Sequence, residues 1–166
     1  LHRPLACALL PRQRKQFFTQ YPPERSADEI LAAIEEDLGG TIFYGDALPS
    51  FWPNFGPGVG AVFTGLSDLH ADDRTVWFSP REPRSLEKIQ VEARVDNPWF
   101  LRIKELVEKA VRRFGSTVQV GTTDLGGNLD LLAAFRDTQN LLFDLVDCPE
   151  QVERVIWEAH EAWWRY

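Results

Sequence analysis

The sequence lacks methionine entirely, even at its start, and contains only two cysteines, Cys7 and Cys148. Two cysteines cannot build a disulfide framework or a four-cysteine zinc site, so a disulfide-stapled secreted scaffold is excluded. The three histidines, His2, His70 and His160, do not have the spacing of metal ligands. We therefore expect a protein of the reduced cytoplasm, with no metal site formed by these residues.

Long apolar runs and an excess of basic residues are also missing. No stretch approaches the roughly 20 apolar residues that a membrane-spanning helix needs, and no signal peptide is visible. The net charge is −7 at pH 7, whereas a nucleic-acid binder needs a basic face for the phosphates. Neither a membrane nor a nucleic acid is therefore expected as a partner. The one basic cluster, Arg12, Arg14 and Lys15, is typical of a solvated loop, with an anion site as the alternative.

The two ends of the sequence suggest that it is part of a longer protein. It does not begin with methionine, and a helical pattern runs to Tyr166 without a stop signal. We expect one domain over residues 1–166, with a hydrophobic fraction of 44% that is typical of a globular protein.

Strand and helix patterns alternate along the chain, which predicts an α/β fold with a mainly parallel sheet. Strands are predicted at residues 4–10, 41–44, 75–78 and 117–121. Helices are predicted at residues 26–38, 59–64, 98–114, 128–135 and 138–146, and from residue 149 onward. The clearest helix starts are the capping box of Ser26 and Glu29 and the Asn97-Pro98 pair, in which Asn97 caps and Pro98 is the first helical residue.

Two aspartates follow predicted strands, where parallel β/α folds bind their ligands. Asp46 comes two residues after the second strand, and Asp124 comes three residues after the strand at 117–121. Such carboxylates can act as a general acid or base, or can stabilise a cationic or N–H-rich ligand. From spacing alone, a role in capping a turn through its own backbone is the favoured interpretation of each residue taken singly, and the pair together is more suggestive of a site.

Aromatic and glycine-rich segments flank these aspartates. The rings of Trp52 and Phe55 could cover a flat apolar ligand or plug one end of the core. The glycines at residues 56–60 lack the spacing of a phosphate-binding loop and are more typical of a turn. Gly126 and Gly127 precede a helix, where they could bind an anion or allow close packing.

The segment VGTTDLGGNLDLLAAFRDTQNLLFDL, which begins at Val120, resembles the uroporphyrinogen decarboxylase superfamily. In that family a strand, a glycine-bearing turn and a similar helix precede a short helix and a D-x-P-E element, which Asp147-Cys148-Pro149-Glu150 matches. Residues 41–48 look like the family's strand that ends in a functional aspartate. The resemblance covers much of the chain, and the later motif is the more specific.

The resemblance implies the N-terminal portion of an eight-stranded β/α (TIM) barrel, with the rest of the barrel outside this sequence. It implies an enzyme, either a lyase that decarboxylates a porphyrin precursor or a methyltransferase. Asp46 would be the catalytic carboxylate that faces the ligand. The ligand-binding residues would be Asp124, Asn128, Trp52, Phe55 and Arg12. Zinc or a corrinoid would bind through the rest of the barrel, and a homo-oligomer or a corrinoid protein is the implied partner.

The sequence departs from the decarboxylase pattern in two places. The decarboxylase's arginine-bearing N-terminal stretch is not matched by residues 9–14, for which Arg12 or Arg14 is only a loose substitute. Its tyrosine in the later helix falls on or near Ala134. These departures favour a methyltransferase-type or uncharacterised member that acts on a tetrapyrrole, a corrinoid or a small methylated substrate.

Two other functions are compatible with the same residues. A carbohydrate-active barrel would use Asp46 and Asp124 as paired carboxylates, which would have to lie about 5–9.5 Å apart. A non-catalytic binding protein would have kept the fold and lost the chemistry.

Overall fold

The computed structural model describes residues 7–9, 21, 23–72 and 75–166, which contain six α-helices, a short 3-10 helix at Leu86–Lys88 and six short strands. The strands are β1 (Cys7–Leu9), β2 (Ile42–Tyr44), β3 (Ser50–Phe51), β4 (Ser67–Ala71), β5 (Val76–Pro80) and β6 (Gln119–Val120). The helices are α1 (Ala27–Gly39), α2 (Val59–Phe63), α3 (Pro98–Phe114), α4 (Asn128–Arg136), α5 (Thr138–Asp147) and α6 (Pro149–Trp163). This mixture confirms the prediction that both helices and strands contribute to the fold.

The strands pair two by two. β1 and β2 are antiparallel, β4 and β5 form an antiparallel hairpin, and β3 and β6 are parallel, with Phe51 opposite Val120. The expectation of a mainly parallel sheet is therefore wrong for the described residues, and no eight-stranded barrel is seen among them. The predicted strand at 75–78 pairs with β4, a polar strand that the sequence patterns did not reveal. Two parallel strands need a crossover connection of about a dozen residues or more. The short connection between β4 and β5 therefore requires an antiparallel pair.

The helix starts follow the predicted capping residues. Ser26 Oγ accepts from Glu29 N at 3.2 Å, and Glu29 Oε2 accepts from Ser26 N at 2.7 Å, which completes the capping box of α1. Asn97 Oδ1 accepts from Trp99 N at 2.9 Å at the start of α3. At α4, Gly127 is the capping residue and Asn128 is the first residue of the helix.

Two apolar clusters form the interior. The first joins α1 and α3 to β3, and the buried face of α1 consists of the apolar positions that its periodicity predicts. The second joins α4 and α6 to the segment around Leu86 and Ile89. Phe78 and Tyr166 are partly buried and contact both clusters, so the two halves of the molecule are continuous.

The glycine-rich loop at residues 56–60 is held between the β4–β5 hairpin and the loop that follows β6. A Cβ on Gly58 would lie 2.4 Å from Phe78 Cδ2, and one on Gly60 would lie 2.5 Å from the Leu125 carbonyl oxygen. A Cβ on Gly126 would lie only 1.9 Å from the carbonyl oxygen of Pro57. These glycines let two backbones touch, and this contact fixes the position of the loop at residues 122–126.

Candidate ligand cavity

A cavity of about 780 Å³ opens beyond the carboxyl end of β6. Its walls come from α2, one face of α3, the loop at residues 122–126 and the C-terminal residues 163–166. Ligand cavities are commonly about 300–1,000 Å³, mostly apolar, with a few polar groups that orient the ligand. The size and position are therefore those of a small-molecule site in an α/β protein.

Aromatic rings form one wall of the cavity. Phe63, Phe100 and Tyr166 contact one another, with ring centroids 5.1 to 5.5 Å apart. The hydroxyl of Tyr166 accepts from Arg94 N at 2.9 Å. Burial raises the pKa of Tyr166, and the neighbouring Arg94 opposes this effect only in part. The phenol is therefore neutral near pH 7 and presents an apolar ring to the cavity.

Charged side chains of both signs border the aromatic wall. Lys104 and Glu108 lie one turn apart on α3, while Asp124 and Arg165 lie on the other segments that line the cavity. Two cations and two carboxylates at the edge of an apolar cavity can orient a ligand that carries both acidic and N–H groups.

Asp124 serves the turn as well as the cavity. Its Oδ1 accepts from Gly126 N at 2.9 Å, so the turn-capping interpretation of this residue is confirmed. Gly127 N donates to Asp130 Oδ2 at 3.0 Å. Because both glycine N–H groups already donate to carboxylates, Gly126 and Gly127 do not form an anion site, and Gly126 instead allows close packing against Pro57.

Thr123 carries an unsatisfied polar atom beside the cavity. The residue lines the cavity, and its Oγ1 is buried without a hydrogen-bond partner among the described residues. A buried hydroxyl left unpaired costs about 1–3 kcal/mol. A ligand group that reached this atom would recover part of that cost.

The other predicted site residues are not gathered at this cavity. Asp46 is exposed in the turn after β2, where Ala47 N donates to Tyr44 O at 3.2 Å, and it is not among the residues that line the cavity. β3 and β6 are parallel, so Asp46, which precedes β3, and Asp124, which follows β6, lie toward opposite ends of this pair. No observation therefore favours a reaction in which the two carboxylates act together. Asn128 is half-buried at the start of α4 and does not line the cavity either.

The two aromatic residues of the predicted wall have different environments. Phe55 is fully buried and stacks on Tyr21 with ring centroids 5.0 Å apart, so it belongs to the core. Trp52 is half exposed and lies beside Gly121, where a Cβ would be 3.6 Å from Trp52 Cδ1. Trp52 can therefore contact a ligand near the end of β6, whereas Phe55 cannot. Arg12 lies outside the described residues.

Sequence patterns missed most of the cavity wall. No local pattern in the sequence marked Lys104, Glu108, Trp163 or Trp164 as ligand-site residues. The one available signal was the group of aromatic residues at the end of the sequence, Trp163, Trp164 and Tyr166. Only tertiary packing brings these residues of α3 and of the C-terminal segment to the loop at residues 122–126.

Among the described residues, no group of three or more His, Cys, Asp and Glu side chains could hold a metal ion. The zinc that the resemblance implies would bind through residues outside this sequence, so this finding does not bear on it. In the described part of the chain, no helix is long and apolar enough to cross a membrane. Comparisons with protein-family models, with curated proteins and with solved structures found no match.

Proposed function

We propose that this chain is the N-terminal portion of a uroporphyrinogen decarboxylase-like β/α-barrel enzyme, of the methyltransferase or an uncharacterised type. Its ligand, a tetrapyrrole, a corrinoid or a small methylated compound, would bind in the cavity beyond β6. The observation that carries the proposal is the cavity itself, which lies at the carboxyl end of the parallel β3–β6 pair. Parallel β/α enzymes place their ligands at this end of their strands.

The composition of the cavity supports a large, flat ligand. The rings of Phe100 and Tyr166 offer apolar surface, and Trp163 and Trp164 extend it. Lys104 and Arg165 suit the carboxylates of a tetrapyrrole, and Asp124 suits its pyrrole N–H groups. The proposed ligand therefore matches the apolar lining and the charges of the site.

The proposal gives the two aspartates different tests. Asp124 lines the cavity, and its Oδ1 is fixed by Gly126 N, so the rest of its carboxylate is the group proposed to accept from the ligand. Asp46 is the carboxylate that the resemblance marks as catalytic, and this role stays a prediction. Asp46→Asn should abolish turnover without changing the melting temperature, whereas a large loss of stability would assign Asp46 to turn structure.

Fluorescence quenching tests the cavity directly. Coproporphyrin and hydroxocobalamin both quench tryptophan emission at short range, and Trp163 and Trp164 line the cavity. We expect saturable quenching by at least one of the two probes. Val107→Trp should abolish it by filling the cavity, while Val111→Trp, an exposed position one turn further along α3, should leave it unchanged.

Two results would refute a tetrapyrrole or corrinoid ligand in this cavity. One is the absence of saturable quenching by either probe. The other is equal quenching in the Val107→Trp and Val111→Trp variants, which would place the probe elsewhere. The barrel part of the proposal has a separate check, since a half-barrel would leave strand edges unpaired. A monodisperse, stable monomer of these residues alone would argue against the barrel.

A further inference from the structure

Helix α5 presents its most apolar side to solvent. The exposed fractions of Leu142, Phe143, Leu145 and Val146 are 60%, 67%, 42% and 80%. Its buried residues are only Leu141 and the charged Asp144. A helix at the surface of a globular protein normally does the reverse, so α5 is oriented for a contact that lies outside the described fold.

Two features fix this orientation of α5. Arg136 at the end of α4 holds the buried Asp144 through two hydrogen bonds, of 2.6 and 3.2 Å. Asp137, between the two helices, has φ +73° and caps α5 through a 2.9 Å bond from Gln139 N to its Oδ1. Rotating α5 to bury its apolar side would break the buried ion pair and change the backbone conformation and capping bond of Asp137.

The exposed side is large enough to drive binding. Full burial of a single Leu, Val or Phe side chain contributes about 1.5–3 kcal/mol. Four such side chains lie within one turn and a half of α5, and the partly exposed Leu129 adds to the apolar surface on α4. Contiguous apolar surface of this kind typically marks a protein contact.

The charged residues in and next to α5 indicate the charge of a partner that would bind there. Residues 137–153 include no Lys, Arg or His. The exposed acids of this segment are Asp137, Asp147, Glu150 and Glu153. The nearest preceding cation, Arg136, is already paired with Asp144. The exposed charges of the segment that contains α5 and the start of α6 are therefore all acidic, and these four acids, called the acidic rim below, favour a basic partner.

The same rim argues against two other occupants. A second copy of this chain on a two-fold axis would bring identical acidic rims together, because such interfaces pair the same surface with itself. An anionic membrane surface would repel the rim for the same reason. A basic helix with one apolar face satisfies both the apolar and the charged parts of the surface.

We propose that the outer side of α5, formed by Leu142, Phe143, Leu145 and Val146, docks an amphipathic helix of a partner protein that carries Lys or Arg beside its apolar face. None of these residues lines the cavity beyond β6, so the docking site stands apart from the proposed enzymatic function.

Calorimetric titration with two synthetic helical peptides tests this proposal. One peptide has an apolar leucine face and lysines elsewhere, and the other has the same face with glutamates. We expect the lysine peptide to bind and the glutamate peptide not to bind. Phe143→Ser and Val146→Ser should each weaken binding by about tenfold, the loss typical of a central interface residue. Val111→Ser, which changes an exposed apolar residue on α3, should bind as the unchanged protein does.

Three outcomes would overturn the proposal. Equal binding of the lysine peptide to the Phe143→Ser and Val111→Ser variants would show only general attraction to an acidic protein. Equal binding of the two peptides would show that the acidic rim does not select the partner. A dimer in solution that Phe143→Ser dissociates would assign this surface to a second copy. Circular dichroism of each variant confirms folding, and Val146→Ser keeps the test valid should Phe143→Ser fail to fold.

Discussion

Arg136 and Asp144 form a two-pronged ion pair between α4 and α5, with Nε 2.6 Å from Oδ2 and Nη2 3.2 Å from Oδ1. Their side chains are only 19% and 11% exposed. Removing one member of such a pair leaves an unpaired charge in a poorly solvated place. The pair also decides which side of α5 faces inward, so its loss should affect more than one contact.

Asp144→Ala should lower the free energy of unfolding by about 3 kcal/mol, because it leaves the Arg136 guanidinium uncompensated. Urea denaturation measures this loss. The double variant Arg136→Met with Asp144→Leu should recover most of it, since both charges are then gone. Asp68→Ala is the matched control, because its pair with Arg81 is about half exposed and should contribute less than about 1 kcal/mol. Equal losses in the two single variants would contradict the buried-pair argument.

The junction between α4 and α5 should prefer glycine to alanine. Asp137 has φ +73° and ψ +140°, a conformation that is strained for a residue with a side chain, but its Oδ1 caps α5. Asp137→Gly loses the cap and relieves the strain, whereas Asp137→Ala loses the cap and keeps the strain. Thermal denaturation should therefore find the glycine variant more stable than the alanine variant by about 1–2 kcal/mol. The opposite order would show that the backbone here is unstrained.

Gly126→Ala should be among the most destabilising single-methyl additions in the chain. Gly126 has φ +78°, and its added Cβ would overlap the Pro57 carbonyl oxygen. Gly115→Ala isolates the backbone contribution, since Gly115 has φ +56° and no atom within 4 Å of an added Cβ. We expect Gly126→Ala to cost at least about 2 kcal/mol more than Gly115→Ala in chemical denaturation. Similar costs would mean that the two loops can separate freely.

Thr123→Val should stabilise the protein when no ligand is bound. The change keeps the shape of the side chain and removes a buried hydroxyl that has no partner among the described residues. The free energy of unfolding should rise by about 1 kcal/mol. Thr64→Val is the control, and it should lower the free energy of unfolding, because the buried Thr64 Oγ1 donates to Ala61 O at 2.7 Å. A loss of stability in both variants would show that Thr123 Oγ1 has a partner.

The capping box of α1 should make stability depend on pH in the acid range. Hydrogen bonds from the backbone N–H and the hydroxyl of Ser26 lower the pKa of Glu29 below its ordinary value of 4.5. A carboxyl whose folded pKa is lowered stabilises the fold above its unfolded pKa, and this contribution is lost as pH falls through the folded pKa. Between about pH 5 and 3, the melting temperature should fall less steeply in Glu29→Gln, which keeps the geometry without the titration. Identical slopes would contradict this role of Glu29.

Helix boundaries were predictable because their signals are local. The bonds of Ser26 and Asn97 join residues two or three positions apart, so the sequence alone predicts the starts of α1 and α3. The buried positions of α1 follow from the 3.6-residue period in the same way. Strand pairing was less predictable, because β4 has a polar sequence and pairs with β5 through contacts that no short pattern records.

The candidate site was only partly predictable. Asp124 follows a strand, and its position at the cavity agrees with the rule that places ligands at strand ends. Asp46 satisfies the same rule in the sequence but lies in an exposed turn away from this cavity. The rule identifies strand ends but not which ends come together, because that depends on pairing between strands distant in the sequence.

The sequence by itself determined the helices, their caps and the absence of a basic, cysteine-rich or long apolar composition, since each depends on neighbouring residues or on counts. Only the tertiary structure decided that the glycines at residues 56–60 contact the loop at residues 122–126, that residues of α3 and α6 complete its cavity, and that α5 turns its apolar side outward. These three outcomes depend on contacts between residues far apart in the chain. Such contacts are fixed by steric fit and by single buried interactions, such as that of Arg136 with Asp144, which no local pattern encodes.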